Sequence, residues 1–249
     1  MKTDFTSLIT KHQEALAQAA SARTKQWWES YLKGVIPFRG VGIPQNRELL
    51  AHWRTANEID TWPVEQQFEL SLAFFEQPFA EDKLAGILYI QNYLYDKLPW
   101  DAQLEKYDTV YQRKLIFDWN ICDWFCVRVL GALVKKHGVE CARAIAGWRD
   151  AGYLWQARSS LVPFVNLTAE RDFRPFIEAA GIALIKREER FAKTAVGWIL
   201  REIFKHDAPF VFSFIDTHLA SFSKESLTNA LKYCDPDTRK TYQQALSTR

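Results

Sequence analysis

The sequence predicts an all-α protein, a curved solenoid of stacked helix pairs, and three observations carry that expectation. Apolar residues recur at three- and four-residue spacing through most of the chain, as in Ala192, Ala195, Ile199 and Ile203 or in Trp28, Tyr31, Leu32, Val35 and Ile36. That period lines one face of an α-helix. Only 10 glycines and 9 prolines punctuate 249 residues, and neither an Asn-Gly or Asp-Gly hairpin turn nor a sustained period-two run marks a strand. Short links separate the helical stretches expected near residues 4–20, 24–36, 44–57, 63–76, 80–94, 101–116, 121–137, 138–151, 153–166, 169–184, 188–205, 207–219, 223–233 and 236–246. Breaks at Gly40-Val41-Gly42, Gly138 and Gly181 divide the run into units of about two helices, each covering its neighbour's apolar face. A single domain over 1–249 is expected. No fixed-period self-similarity is visible, so periodicity alone leaves a globular helical bundle open.

Composition narrows the class. Hydrophobic residues at 48% and charged residues at 25% lie far from the low-hydrophobicity, high-charge balance of disordered chains. The N-terminal stretch carries no apolar h-region, and no window reaches the 18 or so uninterrupted apolar residues of a membrane span. A cytoplasmic protein without a membrane partner is the expectation. Cys122, Cys126, Cys141 and Cys234 form no C-x-x-C motif and have no companion histidines, so they read as reduced, buried hydrophobes with no metal assigned. The net charge of +2 does not announce a nucleic-acid partner, although Lys186 to Lys205 holds six cations against three acids. Such a run is also the pattern of a solvated helix face.

Three tryptophan-centred patterns pair an indole with a charge at helical spacing: Trp119 with Asp123, Trp155 with Arg158, and Gly197-Trp198 with Arg201. In the first, a spacing of four places an aromatic surface and a carboxylate on one helix face. A competing reading makes Asn120 an N-cap with Asp123 at the third helical position, and Trp119 and Trp124 a hydrophobic staple around it. For the other two, an ordinary packed Trp with Arg158 facing water, and a core Trp with Gly197 admitting close helix packing, remain equally open.

Taken together, these patterns resemble the AlkD family of bacterial DNA alkylation repair glycosylases. The stretch FAKTAVGWILRE, Phe191 to Glu202, is similar to that family's F-x-x-K-A-[IV]-G-W-[VI]-L-R-E helix, with the lysine displaced by one position to Lys193. Trp155 and Arg158 resemble the family's Trp-x-x-Arg. Trp119 and Asp123, followed by Leu130-Gly131, resemble its catalytic segment, with Asp118 standing where a second tryptophan often precedes. Tyr31-Leu32-Lys33 and Gly42-Ile43-Pro44 with Arg47 are similar to its N-terminal stretches. The resemblance runs from about residue 24 to 232 and implies HEAT-like helical repeats stacked into an α-α superhelix.

The resemblance further implies a monofunctional DNA glycosylase that releases 3-methyladenine and 7-methylguanine from double-stranded DNA, without metal or cofactor and without turning the damaged base into a pocket. Asp123, Trp119 and Trp198 are the implied catalytic residues. Arg158, Trp155, Tyr31, Arg47, Lys193 and Arg201 are the implied DNA contacts, with Arg158 on phosphate. A monomer is expected. Two other classes stay in view: a catalytically silent HEAT-like protein that binds damaged or unusual DNA, and a helical scaffold for a protein partner. Salt-sensitive duplex binding separates the scaffold from the other two, and base release separates the glycosylase from the silent binder.

Overall fold

The structure, a computed structural model of the chain, describes residues 4–248. Among them lie fifteen α-helices joined by 3-10 turns and two π-helical segments, with no strand. The described chain gathers into two compact units that meet in sequence at Val129 and Leu130. No described helix is long and apolar enough to cross a membrane.

The first unit holds α1 (Thr6–Gln18), α2 (Ala22–Tyr31), α3 (Ile43–Ala56), α4 (Val64–Ala73), α5 (Ala80–Tyr89), α6 (Trp100–Gln112) and α7 (Trp119–Phe125). Every residue of α5 is buried, and α3, α4 and α7 pack around it. Its first turn includes Glu81, Asp82 and Lys83, and each binds a different segment. Glu81 accepts the backbone N–H groups of Arg39 (3.0 Å), Gly40 (2.7 Å) and Val41 (3.1 Å). Asp82 pairs with the Arg39 guanidinium at 2.8 Å and accepts from Gln13 at 3.3 Å. Lys83 donates to the carbonyls of Phe75 (2.5 Å) and Leu115 (3.0 Å). The same loop lies tight against the start of α2, where Gly40 holds φ +102° and a Cβ would lie 2.2 Å from the Ser21 carbonyl.

Helix α2 departs from its expected extent and burial. It stops at Tyr31 because Lys33 (φ 54°) and Gly34 (φ 71°) turn left-handed, with the Gly34 N–H returning to the Glu29 carbonyl at 2.9 Å, a common helix termination. Leu32 and Ile36 are buried as the apolar spacing implies, whereas Tyr31 and Val35 are 54% and 55% exposed. The expected apolar stripe is therefore split between core and surface.

The second unit holds α8 (Gly131–His137), α9 (Val139–Ala146), α10 (Leu154–Arg158), α11 (Arg174–Ile185), α12 (Arg190–Phe204), α13 (Ala208–His218), α14 (Lys224–Ala230) and α15 (Pro236–Ser247). Helix α12 is its axis: Ala192, Ala195, Ile199 and Ile203 are buried as their spacing implies, and α10, α11, α13 and α14 pack against it. Gly197 permits the approach of α14, since a Cβ there would stand 2.5 Å from the Ser226 carbonyl. Gly138 (φ +70°) does break the chain between α8 and α9. Gly181 does not; it lies within α11 and packs on the Phe214 ring. The helix expected over 153–166 shrinks to the five residues of α10 plus a 3-10 turn at Val162–Phe164, where Pro163 cannot donate the backbone bond an α-helix needs.

His12 of α1 gives the first unit a pH-sensitive element. Its ring is fully buried between Trp53 and Phe74, at centroid distances of 5.5 and 5.3 Å, and neither ring nitrogen has a hydrogen-bond partner. Burial, with the Arg39 charge nearby, pulls its pKa down to about 4. Between about pH 6.5 and 4 the unfolded chain takes a proton that the folded chain refuses, so stability is lost as pH falls through that window. Equilibrium urea unfolding should show His12→Phe gaining roughly 3 kcal/mol on the parent between pH 7 and pH 4; a pH-independent difference would contradict the buried neutral imidazole.

Candidate nucleic-acid interface

Trp119 opens α7 because Asp118 caps it. With extended backbone (φ −137°, ψ 159°), Asp118 uses Oδ1 to accept the N–H groups of Asn120 at 2.9 Å and Ile121 at 3.1 Å. The alternative with Asn120 as the cap and Asp123 as its box partner is thereby corrected. Asn120 is the second helical residue, and Asp123 falls in the second turn. Trp119 is the first helical residue and does not precede the cap, so it and Trp124 do not form the expected staple; Trp124 carries the Arg128 guanidinium 5.1 Å from its ring centroid.

The cap sits on buried charge. Burial pushes the Asp118 acid up to about 6, against the pull of the two N–H groups and of Lys83. Burial likewise lowers Lys83 to about 8, against the pull of Asp118 and Asp82. The Lys83 ammonium also lies 5.1 Å from the Phe117 ring centroid. Through Leu115, Phe117 and Asp118, the segment entering α7 is thus fixed to the first turn of α5.

What α7 presents is an aromatic surface with a carboxylate one turn on. Trp119 and Asp123, four residues apart and half-buried, share a helix face. Tyr31 meets Trp119 edge-on at 5.4 Å, Trp27 stacks on Tyr31 at 5.2 Å and 19°, and Trp28 stacks on Phe38 at 5.4 Å. Trp27 is 58% exposed. Arg47 stands exposed on α3 with no ion-pair partner among the described residues. Beneath this surface the Cys122 and Cys126 sulfurs lie 4.0 Å apart in the core.

The second unit carries the other expected residues on α10 and α12. Trp155 is buried and tilted against Phe191 at 5.2 Å. Arg158 is also buried, 4% exposed, and its guanidinium donates to the Phe191 carbonyl at 2.5 Å and the Thr194 hydroxyl at 3.4 Å. Arg158 therefore ties α10 to α12. Trp198 and Lys193 are half-buried on α12, Trp198 having no ring partner among the described residues. Arg201 donates to Glu202 at 2.9 and 2.6 Å and to Asn229 of α14 at 3.2 Å. Much of the basic run from Lys186 to Lys205 is matched in this way: Arg187 pairs with Glu189, Arg190 with Glu225, and Lys205 with Glu202.

A family model described as DNA alkylation repair enzyme matches residues 12–234. The chain belongs to the DNA alkylation repair enzyme family. A solved structure titled "Predicted DNA alkylation repair enzyme from Enterococcus faecalis" shares the fold, with a TM-score of 0.73 at 21% identity, covering 87% of this chain and 97% of that one. No curated protein sequence matches.

Several residues of this alkylation repair family member that shape the site escape sequence reasoning. Trp27 was findable, because its spacing of four from Tyr31 puts both rings on one helix face. Lys83 and Asp118 were not, because consecutive charges in a first helical turn and an Asp before a Trp look like solvated surface. Thr194, in the position where the family helix has its lysine, bonds Arg158.

The cap makes a signed prediction. Asp118→Ala should cost about 1 kcal/mol of folding stability, while Asp118→Asn keeps an acceptor for the two N–H groups. Between about pH 4 and 6 the folded parent holds the Asp118 proton that the unfolded chain has lost, so this contribution disappears as pH rises through about 6. Denaturant titrations should show Asp118→Asn gaining on the parent from pH 4 to pH 7, and a variant whose stability relative to the parent stays constant or falls over that range would refute the buried acid.

Proposed function

We propose that this protein is a monofunctional DNA glycosylase that hydrolyses the N-glycosidic bond of cationic N-alkylated purines, 3-methyladenine and 7-methylguanine, in double-stranded DNA. The observation that supports it most is the half-buried Asp123 carboxylate one turn along α7 from Trp119, with α7 capped by a different acid, Asp118. Alkylation at purine N3 or N7 makes the base a cationic leaving group that requires no general acid. The remaining demands are to stabilise an oxocarbenium-like sugar and to place a water. A fixed carboxylate meets the first electrostatically and the second by accepting a hydrogen bond from the water.

In this reading Asp123 faces the deoxyribose, and the indole face of Trp119 favours the developing positive charge and excludes bulk water. Trp198 of α12 is assigned to catalysis through its own indole face. Tyr31 extends the Trp119 surface and provides stacking area beside the lesion. Arg47, Lys193 and Arg201 serve the phosphate backbone, and Trp155 and Arg158 shape the α10–α12 face that receives it. Arg158 serves this face by tying α10 to α12 through the Phe191 carbonyl and the Thr194 hydroxyl. The protein acts as a monomer in the cytoplasm, with no metal or cofactor taking part.

Mass spectrometry of the free bases released from methylated duplex DNA is the test. The parent should release both bases, and Asp123→Asn should be slowed about 100- to 1,000-fold, the usual cost of removing one preorganised electrostatic group. A folded parent that binds the duplex and releases nothing would replace this reading with that of a silent binder of damaged DNA.

A further inference from the structure

We propose that the groove between α14 and α15 is a binding site for backbone phosphates of duplex DNA, lined by residues other than those assigned to the reaction and resting on the reading that this protein works on DNA. The groove is open, about 680 Å3 in volume, and lined by Lys224, Glu225, Thr228, Asn229, Lys232 and Arg239. Its charge is decided by how its one acid is used. Both Glu225 oxygens accept from Arg190 of α12, at 2.7 Å each, so the carboxylate is neutralised from outside the groove. Lys224, Lys232 and Arg239 have no carboxylate partner among the described residues. Three cations therefore face one concave surface whose only carboxylate is already matched.

The neighbouring contacts fix this surface in place. Thr228 accepts from Gln243 of α15 at 3.2 Å, and Asn229 accepts from Arg201 of α12 at 3.2 Å. Asp235, the nearest acid in sequence to Lys232, is occupied as the cap of α15 by the Thr238 N–H at 2.9 Å. The groove thus continues the α12 face that carries Arg201. The sequence of the second unit has 18 lysines and arginines against 13 acids, while the first has 14 against 17. An open groove with aliphatic stems and cationic tips suits a linear phosphodiester better than a compact ligand.

Each phosphate contact releases counterions, so the groove is read by the salt dependence of binding. The experiment is fluorescence anisotropy of a labelled, undamaged DNA duplex titrated with the full-length parent and with the combined variant Lys224→Gln, Lys232→Gln, Arg239→Gln across about 50 to 200 mM salt. The variant should bind roughly 10- to 50-fold more weakly at the low-salt end, with the slope of log affinity against log salt reduced by about 2 to 3. Replacing Lys224 and Lys232 by Arg should preserve the parent's slope. Base release from methylated duplex by the parent is measured alongside. A slope equal to the parent's in the triple variant, or a parent that binds no duplex, overturns the phosphate groove. Absence of base release alongside a reduced slope overturns the glycosylase reading and leaves the groove standing.

Discussion

Three consecutive charged side chains, Glu81, Asp82 and Lys83, are buried in the first turn of α5, and a charge taken out of water without partners costs several kcal/mol. The first unit is organised by how they are satisfied. Glu81 gathers three backbone N–H groups of the segment before α3, Asp82 holds Arg39 and Gln13, and Lys83 holds the carbonyls of Phe75 and Leu115. These bonds span chain separations of up to 69 residues. They set where the loop after α2 runs and where α7 begins. The aromatic surface of Trp27, Tyr31 and Trp119 is assembled from those two places, so its geometry depends on buried charge that is remote from it in sequence.

In the second unit the corresponding constraint is steric. Gly197 lets α14 approach α12 until the Ser226 carbonyl occupies the space of a side chain. Arg190 and Arg201 then close the edges of that contact through Glu225 and Asn229. The same two arginines govern the electrostatics of the face. By engaging Glu225, Arg190 leaves Lys224 and Lys232 unopposed; by engaging Glu202 and Asn229, Arg201 is held in a fixed orientation. The basic character of the unit thus comes from which acids are used up as much as from how many cations there are.

The helices were largely legible in the sequence because amphipathic periodicity reports the core: Ala192, Ala195, Ile199 and Ile203 are buried as their spacing implies. Their ends were less so. Helix α2 ends early through a left-handed turn at Lys33, a residue with no conformational preference for it, and α10 ends early because of the chain around Pro163. At the candidate site, motif spacing singled out Trp119, Asp123 and Tyr31, and the rings of Tyr31 and Trp119 do meet. The side chains that hold them were hidden for a physical reason. The burial of Lys83 and Asp118 is a tertiary fact, and the same residues on an exposed helix end would read identically.

The dependence of the site on that buried charge is measured most directly by the single-turnover rate of base release from methylated duplex at saturating protein in Lys83→Met, an apolar replacement of similar length. The rate should fall well below the parent's in protein that is still folded, with the unfolding midpoint lowered as well, since the variant leaves the Phe75 and Leu115 carbonyls without their donor and releases the segment entering α7. A folded Lys83→Met that releases base at the parent's rate would show that α7, Trp119 and Asp123 hold their places without the first turn of α5.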